Sequence, residues 1–159
     1  MNTVPRPIAS RLETRIFKVS IAVLILSGLA QMPLFKRYYI ADIPGLAWTA
    51  DFFVQHVLHY VAAAIFLALV AYWAVIHLRI LSRTYRITFW GRLRVAAVAA
   101  LIGSGFFRVL KNLPEWSFSP EAVMLIGWSH LAAALLFGIL ALLARISGNS
   151  AYVAPRFPG

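Results

Sequence analysis

The stretch from Phe52 to Leu78, FFVQHVLHYVAAAIFLALVAYWAVIHL, decides how the chain must be read. It contains no charged residue, and its apolar character is broken only by one glutamine, three histidines and a few amphipathic aromatics. A helix crossing the roughly 30 Å hydrocarbon core of a bilayer needs about 20 residues, so this segment can span without help. Working outward, three further apolar runs follow the same logic: Phe17 to Met32, Val95 to Val109 and Ala122 to Leu143. The last is long enough alone. The other two borrow Lys18, Arg94 and Arg108 at their ends, whose stems can lie along lipid while the charge snorkels to the headgroups. The expected architecture is an all-α membrane protein, a single four-helix transmembrane bundle over 1–159 with spans near 15–32, 52–79, 94–110 and 121–145. A composition that is 62% apolar and 13% charged, with mean hydropathy +0.80, agrees with a bilayer as solvent.

The charges that remain read as topology. A net charge of +10 invites a nucleic-acid partner, but the cations sit between hydrophobic runs, so no nucleic acid is expected. Arg6, Arg11, Arg15, Lys18, Arg79, Arg83, Arg86, Arg92, Arg94, Arg145 and Arg156 fall on one side of the bundle. Lys36, Arg37, Arg108 and Lys111 fall on the other, with four of the five acids: Asp42, Asp51, Glu115 and Glu121. The positive-inside rule then puts both termini in the cytoplasm, across a bacterial or archaeal inner membrane. The first run has no small-residue cleavage site and is followed directly by Pro33, so it is expected to be a retained helix rather than a signal peptide. The segment from Pro33 to Asp51, with Tyr38, Tyr39 and Trp48, is expected to lie along the outer interface. No internal repeat, low-complexity segment or domain linker stands out.

Chemistry is confined to few side chains. With no cysteine, thiolate metal sites, protein-ligated iron–sulfur clusters and covalently attached c-type haem are excluded, so a metal would have to be held by nitrogen or oxygen. All four histidines lie in or beside spans: His56, His59 and His77 on the second, His130 on the fourth. Ionisable groups in lipid are costly and point to function. No Asp or Glu occupies the middle of a span, which leaves a proton-coupled transporter little to work with. His59 and His130 lie at similar depths from the outer ends of helices running in the same direction, so their imidazoles can be axial ligands to one haem iron. Small residues flank both: Ala62 and Ala63 near His59, and Gly127, Ala133 and Ala134 near His130. They leave room for a flat macrocycle, though small residues also simply let helices pack closely.

His56, a turn further out, is either an interfacial residue or the ligand in place of His59. His77, eighteen residues after His59, sits at the cytoplasmic edge as a second haem ligand, a proton donor beside quinone, or an interfacial residue. Arg108 and Lys111, at the outer end of the third span, are either helix-end cations or partners for haem propionates.

This pattern resembles the cytochrome b subunits of membrane-bound formate dehydrogenases and nickel–iron hydrogenases. The family opens its first helix with an Arg-Ile-Leu-His-like motif ahead of a Thr-Gly or Ser-Gly; here Arg15, Ile16, Phe17 and Lys18 lead to Ser27 and Gly28. His59 with Ala63, and His130, match the family's outer-haem ligands. Where the family carries ligands for a cytoplasmic-side haem, this chain has Lys18 and the stretch Leu143, Ala144, Arg145. The resemblance implies a four-helix haem b protein that exchanges electrons with menaquinone or ubiquinone, and the ligand count limits it to one haem. The expected function is an electron-transfer subunit, non-catalytic by itself, joining the quinone pool to a larger redox complex with iron–sulfur, c-type haem or flavin subunits. Two alternatives stand beside it: a cofactor-free membrane anchor, and a quinone-binding subunit without haem.

Overall fold

The computed structural model describes residues 9–32 and 34–156. Those residues form α1 (Arg11–Gln31), α2 (Leu34–Arg37), α3 (Phe52–Arg79), β1 (Tyr85–Ile87), α4 (Phe89–Leu110), α5 (Pro120–Ile146) and β2 (Val153–Pro155). Turns of 3-10 helix lie at Ile40–Asp42, Ala47–Ala50 and Leu81–Arg83.

Every long helix opens on a side chain that accepts one of its unpaired N–H groups. Ser10 Oγ accepts from Glu13 N at 3.1 Å while Glu13 Oε2 accepts from Ser10 N, a complete capping box at the head of α1. Asp51 Oδ1 caps α3 through Val54 N, Thr88 Oγ1 caps α4 through Gly91 N, and Ser119 Oγ caps α5 through Ala122 N, with Pro120 in the first turn. These caps set helix starts that hydropathy alone misplaces: α1 begins at Arg11 and α4 at Phe89, each several residues ahead of the apolar run it contains.

Among the described residues, α3, α4 and α5 are long and apolar enough to cross a membrane. Their large apolar side chains are turned outward; Phe53 is 75% exposed and Trp128 68%. So much exposed apolar surface is incompatible with water and suited to lipid, and the chain is a helical membrane protein. The fourth expected span falls short of that standard, because α1 carries Arg11, Glu13, Arg15 and Lys18 in its first turns.

The chain forms two compact units, Met1–Ile80 and Leu81–Gly159. In the first, α1 and α3 pack antiparallel along their length. Trp73 Nε1 donates to Glu13 Oε2 at 3.0 Å near one end. Phe17 stacks on Phe66 at 5.5 Å and tilts against Trp73 at 5.1 Å, and Ser27 meets His59 further along. Between the two helices, residues Leu34 to Asp51 are built of short helical turns, with Gln55 Nε2 donating back to Trp48 O at 3.1 Å.

In the second unit, α4 and α5 form a like hairpin, and the chain after α5 folds back. Gly148, at φ +71°, turns it. β2 then pairs antiparallel with β1, Tyr85 opposite Pro155 and Ile87 opposite Val153. Arg94 is the anchor of this return. Rather than snorkelling, it is buried at 4% exposure, with Nη2 donating to Ser150 O at 2.9 Å and Nε to Trp90 O at 3.1 Å, and with the guanidinium 3.7 Å from the Tyr152 ring. Carbonyls and an aromatic face thus replace the hydration a buried charge would lose. Burial pushes the Tyr152 phenol above its ordinary range, although Arg94 pulls the other way. The Tyr152 carbonyl comes so close to Gly91 that any Cβ there would collide with it.

Candidate functional site

One local arrangement occurs twice, once in each unit. In the first, Ser27 Oγ on α1 lies 2.9 Å from His59 Nδ1 on α3. In the second, Ser104 Oγ on α4 lies 3.0 Å from His130 Nδ1 on α5. In both, a glycine follows the serine and its backbone faces the same imidazole: a Cβ on Gly28 would stand 3.5 Å from His59 Cε1, and one on Gly105 would stand 3.4 Å from His130 Cε1. Those are ordinary contact distances, so the imidazoles alone do not require glycine there. The repeat continues one turn on, where Gln31 and Arg108 hold matching places in Ser-Gly-Leu-Ala-Gln (27–31) and Ser-Gly-Phe-Phe-Arg (104–108). The helical hairpin is thus duplicated, although the sequence reading finds no repeat: the shared positions are few and the serine-to-histidine spacings differ.

The hydroxyl protons fix the imidazole tautomers. Ser27 Oγ lies 2.6 Å from Val23 O, and Ser104 Oγ 2.8 Å from Ala100 O. A carbonyl oxygen only accepts, so each serine gives its one proton to the turn behind it. Each Oγ then receives a proton from the imidazole, which makes Nδ1 the N–H nitrogen of both histidines. A neutral imidazole protonated at Nδ1 carries its lone pair on Nε2, the atom that ligates a metal when Nδ1 is held by an outer partner.

Of the two histidines near the start of α3, only His59 is oriented this way. His56 lies between Phe52, with ring centroids 5.5 Å apart, and Tyr60, at 4.3 Å, and its buried Nδ1 has no hydrogen-bond partner. His77 is half-buried in the last turn of α3 beside Arg79. Arg108 lies in the last turn of α4 and Lys111 is its C-cap; Arg108 stands near enough for its charge to act on the His130 ring. The small residues flanking the histidines divide. Ala62 and Ala133 are buried, whereas Gly127 faces open space and Ala134 is exposed, leaving room for a flat group beside His130.

A bis-imidazole haem asks for what these residues supply: two histidines with Nδ1 held and Nε2 carrying the lone pair, and small side chains beside one of them. It does not ask for a multidentate cluster, and among the described residues no group of three or more His, Cys, Asp or Glu converges to make one. Sequence reasoning picks out His59, His130 and Ser27 but misses Ser104, whose signal is the Ser-Gly pair ahead of a helix-borne histidine, present a second time. No family model, curated protein or solved structure matches the chain.

Proposed function

We propose that this chain is a membrane haem b electron-transfer subunit whose haem ligands are His59 and His130, each through Nε2. The observation that carries the reading is the duplicated serine–histidine pair. Two histidines in apolar helices, each with its ring orientation and tautomer set by a serine that has already spent its proton, are prepared as neutral nitrogen donors. As charge carriers or general acids they would have no use for that arrangement. When bound, the haem supplies a one-electron couple. The protein holds the imidazoles, keeps Nδ1 protonated and surrounds the site with an apolar medium that excludes water.

In this reading α1 is a fourth span, supported by its pairing with α3 from Glu13 to Ser27, which carries its apolar part alongside a helix that crosses the membrane. Both termini face the cytoplasm of a bacterial or archaeal inner membrane, as the eleven-to-four division of cations favours. Arg108 and Lys111 receive a haem propionate, because a guanidinium one turn outward of Ser104 suits a carboxylate. Electrons pass between menaquinone or ubiquinone, with His77 as the candidate contact, and a larger complex carrying iron–sulfur, c-type haem or flavin centres.

A pyridine haemochrome assay on purified protein is expected to give one haem b per chain, with the low-spin spectrum lost in His59→Ala and in His130→Ala and kept in His77→Ala. Colourless wild-type protein would overturn the reading in favour of a cofactor-free anchor. A ratio of two would show that a second site is completed by a ligand outside this count.

A further inference from the structure

Among the described residues of the first unit, two buried polar atoms have no hydrogen-bond partner: Gln31 Nε2, at the end of α1, and His56 Nδ1, near the start of α3. They lie at one level. Ser27 faces His59 across the antiparallel pair, so Gln31, four residues past Ser27, and His56, three residues before His59, both fall about one turn outward on the faces that meet. An unpartnered buried amide or imidazole gives up hydrogen bonds it would make in water, which is a net cost to the fold. The neighbourhood does not otherwise tolerate such loss: Gln55 and Thr49, buried nearby, both reach backbone carbonyls. The same place in the second unit is held by Arg108. One turn outward of each serine–histidine pair, therefore, stands a long side chain that donates hydrogen bonds.

We propose that Gln31 and His56 form a hydrogen-bonding pair for a carboxylate of the haem held at His59, the counterpart in the first unit of Arg108 in the second. The Gln31 amide is a donor at Nε2. His56, fixed between Phe52 and Tyr60, donates from the tautomer protonated at Nδ1. The pair is neutral and desolvated, so a hydrogen bond from it to a carboxylate is of the charge-assisted kind, stronger than one between neutral groups. His56 is thus a binding residue rather than the axial ligand, which assigns the two outer histidines of α3 different tasks. The inference rests on the haem reading.

The test uses purified full-length protein carrying Gln31→Leu, His56→Phe or both, loaded in turn with haem b and with its dimethyl ester, which has no carboxylate. Haem release is followed by transfer to apomyoglobin, and the apoprotein is melted in the same detergent. The variants are expected to release haem b on the order of ten-fold faster or more, to match wild type with the ester, and to melt as apoprotein no earlier than wild type, since an orphaned polar atom has been replaced by an apolar one. Equal release of haem b from variants and wild type overturns the pair while the haem reading stands on the His59 and His130 variants. If the variants keep haem but lose reduction by a quinol analogue, the acceptor is a quinone carbonyl and the proposal fails. If wild type takes up no haem, both fall together.

Discussion

Replacing Ser27 or Ser104 with alanine tests the tautomer argument directly. Each substitution removes one oxygen and leaves the imidazole Nδ1–H without its acceptor, 2.9 Å away for His59 and 3.0 Å for His130. Ser27 is 2% exposed, so water cannot easily replace its oxygen, and the cost should approach the full penalty for an unsatisfied buried donor, roughly 1–3 kcal/mol. Ser104 is less deeply buried, so water can reach the vacated place and its loss should cost less. Loss of an outer partner to a metal-bound histidine typically weakens the metal site about 10- to 100-fold. Ser27→Ala is therefore expected to release haem faster than Ser104→Ala, and both faster than wild type, by transfer to apomyoglobin. Nitrogen-15 NMR of histidine-labelled apoprotein should show Nδ1 protonated at both positions. A resonance from the Nε2–H tautomer at either histidine, or haem release unchanged in both variants, would refute the reasoning.

Two further outcomes are expected. A reporter fused after Gly159 should be active only in the cytoplasm, because the cations divide eleven to four; activity on the opposite side would reverse every loop assignment. The Glu13 carboxyl is held below the ordinary carboxylate range, first by the hydrogen bond from Trp73 and then by Ser10. A group whose folded pKa is depressed contributes stability that is present above its unfolded pKa and lost as pH falls through the folded value. The Glu13–Trp73 tie should hence loosen only in acid below the usual carboxylate range. Fluorescence of a variant that keeps Trp73 alone should change there, and Glu13→Gln should flatten that change.

The parts of the fold legible in the sequence were those governed by hydrophobic length. Phe52 to Leu78 admits one reading, and the runs of α4 and α5 nearly so, because each must bury its backbone hydrogen bonds in lipid. Capping decided what hydropathy could not: Thr88 starts α4 well before its apolar run, and Ser10 draws charged residues into α1 that a span count excludes. Arg94 was misread because an arginine beside an apolar run usually snorkels. That this one is buried depends on carbonyls more than fifty residues away, which no local pattern reports. At the site, the histidines were legible as ionisable groups in lipid. The serines that orient them were half legible: Ser27 came through a resemblance, while Ser104 looked like an ordinary small residue in a helix. The difference between His56 and His59 lay in which one faced a hydroxyl, a fact of helix pairing rather than of spacing.

The return of the chain onto α4 bears on how the protein can be cut and handled. Arg94 has its acceptors in the Ser150 and Ala151 carbonyls and its aromatic cover in Tyr152, while Gly91 leaves the space for that backbone to approach. A chain shortened to end before Ser150 would retain a guanidinium in a cleft built for company it no longer has, at a cost of roughly 3 kcal/mol or more. It would also give up the pairing of Tyr85 with Pro155. Affinity tags belong beyond the returning segment and β2, added after them and not substituted for them. A minimal version of the second unit has to run through β2, even though its helices end at Ile146.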